Sequence, residues 1–182
     1  MKEDIKSMTL PELTTWMSAL GEKGFRAKQL YNWMHKNLVS SFDEMTNLSG
    51  ALKSKLKEQA DLVVLTPVDV RISSIDGTRK YLFRLQDGNV IESVLMRYRF
   101  GNSVCISTQV GCRMGCRFCA STLDGLVRSL RPSEMLEQIY RIQKDIGERI
   151  SNVVLMGSGE PFDNTENVFR FLDLISCEEG LN

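Results

Sequence analysis

The sequence predicts a mixed α/β chain in three parts: a small helical module, an antiparallel meander, and the opening strand, loop and helix units of an α/β barrel. Three observations carry this. Apolar residues recur at helical spacing up to about residue 59; from about Leu62 the period changes to two; beyond Val104, short apolar runs alternate with amphipathic segments of helical length. The expected segments are 1–60, 61–100 and 101–182.

The helical module starts at Thr9, which forms a capping-box pattern with Glu12. Leu10, Leu13, Trp16, Met17 and Leu20 then lie on one face until Gly21 and Gly24 interrupt. A second helix is expected from about Arg26 to Asn37, burying Ala27, Leu30, Tyr31 and Met34. Phe42, Met45, Leu48, Leu52 and Leu56 suggest one or two further short helices. The lysines of the module, among them Lys23, Lys28, Lys53 and Lys57, are equally consistent with an RNA-docking face and with an ordinary solvated one.

In the middle segment Val68, Val70 and Ile72 alternate with polar residues. Asp76-Gly77 and Asp87-Gly88 supply the turns, and the run Val90 to Met96 completes the meander. Glu92 stands out as an acid between apolar Ile91 and Val94, although an exposed strand face accounts for it equally well.

The last segment reads as strand Val104–Ser107, a cysteine loop, and a helix opened by Pro132 with Met135, Ile139, Ile142 and Ile146 in a stripe. A second, nearly all-apolar strand 152–156 follows, then a glycine loop, then a helix capped by Asn164. Chemistry in such barrels gathers at the C-terminal ends of strands, where both loops fall.

The cysteine loop carries the chemistry. Cys112, Cys116 and Cys119 are spaced C-x3-C-x2-C, with Gly111 and Gly115 letting the backbone curl so that three thiolates converge on one metal centre. Three local ligands on a four-iron cubane leave one iron open to a small molecule, as a catalytic cluster requires. The alternative is structural zinc, with Cys105, Cys177 or the single histidine, His35, as fourth ligand; one tight triplet without a second pair favours iron and sulfide.

Composition narrows the classes. With 42% apolar and 25% charged residues the chain is that of a folded globular protein, and it contains no apolar run of membrane-spanning length. Five cysteines, three of them in one loop, speak for metal chemistry in a reducing compartment, and the charged start Lys2-Glu3-Asp4 does not read as a secretory signal. A cytoplasmic location is expected. Net charge is zero, but between Cys105 and Pro132 Arg113, Arg117, Arg128 and Arg131 face only Asp124, a collar suited to a phosphate-rich substrate or simply to solvent.

The triplet, with Phe118 before its third cysteine, resembles the signature of radical S-adenosylmethionine (SAM) enzymes. The longer strings Cys105-Ile106-Ser107-Thr108-Gln109-Val110-Gly111-Cys112 and Phe118-Cys119-Ala120-Ser121-Thr122 resemble the RlmN/Cfr family of RNA adenine methyltransferases. The resemblance implies a partial (β/α)6 barrel, a [4Fe-4S] cluster on Cys112, Cys116 and Cys119, and S-adenosyl-L-methionine as cofactor. It implies contact of Gly159 and Glu160, in Gly157-Ser158-Gly159-Glu160-Pro161, with the cofactor amino group. Glu92 matches the family's proton acceptor, and Cys105 its second catalytic cysteine, which closes a disulfide with a methyl-carrying cysteine.

That carrier lies in the family beyond the position of residue 182, so the resemblance covers the family's N-terminal half. The implied partners are ribosomal RNA and tRNA, together with an electron donor such as flavodoxin, and no membrane. Methylation at C2 of adenine is expected. A different radical SAM enzyme, for instance one methylating C8, and a non-catalytic zinc-stabilised RNA-binding module remain open at this point.

Overall fold

The computed structural model describes residues 2 to 181, which form two compact units. One comprises the chain up to Val63 together with the stretch from Arg170 onward; the other is Val64–Phe169.

The first unit is helical. Strand β1 (Glu3–Asp4) leads into helix α1 (Leu10–Ala19), whose capping box is complete: the Thr9 side chain accepts from the Glu12 N–H, and Glu12 Oε2 accepts from the Thr9 N–H at 2.8 Å. Helix α2 (Gly24–His35) starts two residues before the expected Arg26 and ends two before Asn37. It stops because the chain turns at Leu38, where φ is +52°. Helix α3 (Gly50–Gln59) is capped by Ser49, and β2 (Ala60–Asp61) pairs in parallel with β1. Leu13, Met17, Leu30, Met34, Met45 and Leu56 are fully buried between these elements, which is the apolar pattern read from the sequence.

The second unit is built on one sheet. Strands β3 (Thr66–Ile72), β4 (Arg79–Arg84), β5 (Val90–Tyr98) and β6 (Gly101–Cys105) form the meander. A separate ladder of β7 (Gln109–Gly111) and β8 (Leu126–Ser129) flanks the cysteine loop, followed by α4 (Pro132–Ile146) and β9 (Ile150–Val154); α5 (Thr165–Ile175) begins in this unit and runs into the stretch counted with the first. The sheet order is β3-β4-β5-β6-β9, with β9 parallel to β6 and all other neighbours antiparallel. The meander and the barrel strands therefore share one hydrogen-bonded sheet, because β6 offers one edge to β5 and the other to β9.

Helix α4 covers one face of this sheet. Tyr81 donates to Asp145 at 2.7 Å and Ser93 donates to Gln138 at 2.8 Å. The buried side of α4 includes Met135, Ile139 and Ile142 as its spacing predicts, but also Ser133, Glu134, Glu137 and Gln138. Each of these acids has a partner: Glu134 takes both Arg128 guanidinium nitrogens at 2.8 Å, and Glu137 accepts from the Leu65 N–H at 3.2 Å. The opposite face of the sheet carries Lys80, Leu82, Glu92, Val94 and Cys105, none of them fully buried.

Candidate cluster and cofactor site

The two motif loops leave the C-terminal ends of β6 and β9, the adjacent parallel strands, so they begin side by side. Backbone bonds then tie them together. Gly157 N–H donates to the Ile106 carbonyl at 3.0 Å, and the N–H groups of Thr108 and Gln109 both reach the Ser158 carbonyl, at 2.9 and 3.2 Å. Ser121, beyond the third cysteine, donates to the Ser158 hydroxyl at 3.2 Å. The cysteine loop and the Gly-Ser-Gly-Glu-Pro loop are thus one bonded assembly.

Glycine permits two close approaches here, one between the loops at Gly159 and one within the cysteine loop at Gly111. Gly159 has φ +105°, and a Cβ there would lie 2.6 Å from Gln109 Cβ. Gly111 has φ +72°, and a Cβ there would lie 2.0 Å from the Gly125 carbonyl oxygen, against which Cys112 N–H bonds at 3.0 Å. The close neighbour of Gly159 in the structure is Gln109.

The three cysteines occupy one loop in different settings. Cys112 is buried, Cys116 exposed and Cys119 half-buried, and all five cysteines of the chain are free thiols. Cys119 N–H donates to the Cys116 carbonyl at 3.0 Å, and Thr122 Oγ1 donates to the Cys119 carbonyl at 2.9 Å, turning the chain back on itself. Among the described residues no three His, Cys, Asp or Glu side chains are gathered for a metal ion. The donor chemistry of the loop nonetheless fits an iron-sulfur cluster: three soft thiolates on a short turn whose middle glycine, Gly115, already has φ +69°.

The other expected site residues are placed as follows. Glu160 N–H donates to Gln109 Oε1 at 2.9 Å while its carboxylate accepts the Phe162 N–H at 3.0 Å, so the side chain starts the short turn Pro161–Asp163. Cys105 stands at the end of β6, opposite Val94. Burial pushes its thiol pKa up; the Met156 N–H opposes this and the nearby Glu92 charge adds to it. Glu92 lies on the same face as Cys105 and pairs with Lys80. His35, weighed as a zinc ligand, is fully buried in the helical unit against Tyr31, with ring centroids 4.2 Å apart.

The basic collar is largely committed elsewhere. Arg113 pairs with Asp163, Arg128 bridges Asp87 and Glu134, and Arg131 reaches Glu134 and Gln86, while Arg117 is exposed. The acids that neutralise these arginines come from outside the stretch in which the collar was counted. Arg113 and Gln109 hold the Asp163 carboxyl below its ordinary value.

The roles of two polar residues that build the site, Gln138 and Asn164, were not read from the sequence. Gln138 brackets the backbone of Ser107, and Asn164 donates to the carbonyls of both Thr108 and Leu130 at 2.9 Å. Asn164 was expected only as a helix cap; its carbonyl does accept the Val168 N–H, but its amide fastens two loops. A signal for Gln138 existed: it falls on the α4 stripe, three residues after Met135 and four before Ile142.

An open α/β sheet with a three-cysteine loop and a glycine loop at neighbouring strand ends defines the radical SAM class. Comparison with known proteins agrees. The model for the Radical SAM superfamily matches residues 106–181, and that for the ribosomal RNA large subunit methyltransferase N-terminal domain matches residues 3–62. A probable dual-specificity RNA methyltransferase RlmN from Lachnospira eligens is 68% identical over 98% of this chain and 51% of its own length. One of the same description from Lachnoclostridium phytofermentans is 58% identical over 100% of this chain and 51% of its length. The crystal structure of a radical SAM methyltransferase from Sphaerobacter thermophilus superposes with a TM-score of 0.91 at 40% identity, covering 99% of this chain and 54% of that one. Over nearly its whole length the chain is thus similar to RlmN methyltransferases of the radical SAM superfamily. It spans about half the length of the curated relatives it matches.

Proposed function

We propose that this chain carries the cluster-binding and cofactor-binding half of an RNA methyltransferase that methylates C2 of an adenosine in large-subunit ribosomal RNA, with tRNA as a second substrate. The observation that supports it best is the bonded union of the cysteine loop with the glycine loop at the ends of β6 and β9. A small molecule held by both loops would lie at the strand ends next to the sheet face that carries Glu92 and Cys105.

Cys112, Cys116 and Cys119 would hold the [4Fe-4S] cluster, and Gly159 and Glu160 would meet the amino group of S-adenosyl-L-methionine. With an external electron donor such as flavodoxin, the bound pair supplies a carbon radical, which an electrophilic aromatic carbon such as adenine C2 requires because a methyl cation cannot attack it. The residues of this chain do the rest. Glu92 accepts the proton leaving the base carbon. Cys105, as thiolate, attacks the sulfur of a methyl-carrying cysteine outside this chain; the new S–S bond forms as the bond from that sulfur's carbon substituent breaks. Burial holds the thiol protonated until then, and its proton passes to the departing carbon, which keeps the electron pair of the broken bond.

The experiment is anaerobic reconstitution followed by iron, sulfide and zinc analysis, with the electron paramagnetic resonance spectrum of the reduced protein before and after adding S-adenosyl-L-methionine. About four irons per chain and a spectrum changed by the cofactor are expected. Zinc in their place, or a spectrum blind to the cofactor, would overturn the reading.

A further inference from the structure

A charged pocket of about 250 Å3 opens on the uncovered face of the sheet, lined by Asp69 and Arg71 of β3, Lys80 and Leu82 of β4, and Glu92 of β5. Strand register places all five on one face: Lys80 stands opposite Arg71 on one side and Val94 on the other, and Leu82 opposite Asp69 and Glu92. Val94 in turn stands opposite Cys105. One cross-strand row therefore runs Arg71, Lys80, Val94, Cys105.

The charges in the pocket sort into two pairs. Arg71 Nε donates to Asp69 Oδ2 at 2.9 Å, and the Lys80 ammonium holds the Glu92 carboxylate. Glu92 has two cations diagonal to it on β4: Lys80 on the Val94 side and Arg84, which stands opposite Val90, on the other. Pairing with Lys80 draws the carboxylate into the row that ends at Cys105. Folding does not require the pair. Both side chains are nearly half exposed, at 48% and 40%, and the register is already set by buried Tyr81, Phe83 and Ile91.

We propose that Lys80 is a positioning residue: its ammonium fixes the Glu92 carboxylate in the Cys105 row and offsets its negative charge beside that thiol. The inference rests on the assignment of Glu92 and Cys105 made above. The groups facing Cys105 are Glu92 and Val94 from β5, Val154 from β9 and the Met156 N–H; Lys80, Arg84, Arg71 and Asp69 are the charges further along the same face. Of these, Glu92 is the acid whose charge reaches the thiol, so its counter-ion sets how strongly that charge is felt.

The test is site-resolved alkylation of Cys105 by iodoacetamide as a function of pH, read by mass spectrometry. Lys80→Met should raise the midpoint and slow alkylation at neutral pH by about threefold or more, Lys80→Arg should restore it, and Glu92→Gln should speed it. In the Glu92→Gln background Lys80→Met should have no further effect. An unchanged midpoint in Lys80→Met, or an equal shift with and without Glu92, overturns the proposal. Lys80→Gln is a second variant should Lys80→Met lose its folded circular dichroism signal. Alkylation needs neither RNA nor cofactor. Zinc in place of iron, or a spectrum blind to the cofactor, with the coupling intact would sink the function reading alone, and the converse would sink this one alone.

Discussion

Gln138 closes on the backbone of Ser107 from both sides: its Oε1 accepts the Ser107 N–H at 2.8 Å and its Nε2 donates to the Ser107 carbonyl at 3.0 Å. Both residues are fully buried, so helix α4 holds the strand end from which the cysteine loop departs. Ser107 in turn donates its hydroxyl to the Glu92 carbonyl at 2.7 Å and accepts the Ser158 N–H at 3.0 Å, linking β5 to both motif loops.

Replacing Gln138 by Leu leaves two buried backbone groups unpaired, and destabilisation of roughly 2–5 kcal/mol is expected. Urea unfolding measures it. Gln138→Glu should also destabilise, because a carboxylate cannot donate to the Ser107 carbonyl; a wild-type midpoint in both variants would show that the clamp contributes nothing.

Gly111→Ala should abolish or sharply reduce iron incorporation, since the new Cβ would meet the Gly125 oxygen in a left-handed backbone. Gly115 also has a positive φ, but nothing lies within 4 Å of its Cβ position, so Gly115→Ala should cost only about 1–2 kcal/mol of local strain. Iron per chain after reconstitution separates the two; equal loss in both variants would refute the steric account.

Acid should weaken the helical unit through His35. Burial, aided by the Lys6 ammonium, pushes its imidazole down to about 3 from an ordinary value near 6.5. Between those values the unfolded chain binds a proton that the folded one refuses. Stability is therefore full above about pH 6.5 and falls as the pH drops toward 3, by up to about 1.4 kcal/mol per pH unit. Denaturant midpoints at pH 7 and near pH 4.5 measure the slope, and His35→Gln should flatten it.

Among the described residues strand β9 is the last in the sheet order and pairs with β6 alone, so its outer edge presents unpaired backbone groups, with Val154 exposed. This chain alone should self-associate, with a sedimentation coefficient that rises with concentration. Val154→Lys should suppress it. A monomer at all concentrations would rule the edge out as a contact.

The sequence by itself determined the elements and the residue types of the loops. Helical spacing with Thr9 and Glu12 located α1, Pro132 located α4, the two Asp-Gly pairs located the meander turns, and the spacing of Cys112, Cys116 and Cys119 marked the cysteine loop as the candidate site. These are local signals, written in residues within a few positions of one another. Only the tertiary structure decided what joins distant segments. Nothing in the sequence fixes which strand edge β6 offers to β9, a choice that makes the meander part of the barrel sheet, nor the β5–β6 register that puts Glu92 on the face of Cys105. Asn164 reads only as a cap, and Gln138 and Lys80 go unremarked, until their partners at Thr108, Ser107 and Glu92 come into reach. A polar side chain acquires its role from the groups that burial and strand register bring to it, and those lie far away along the chain.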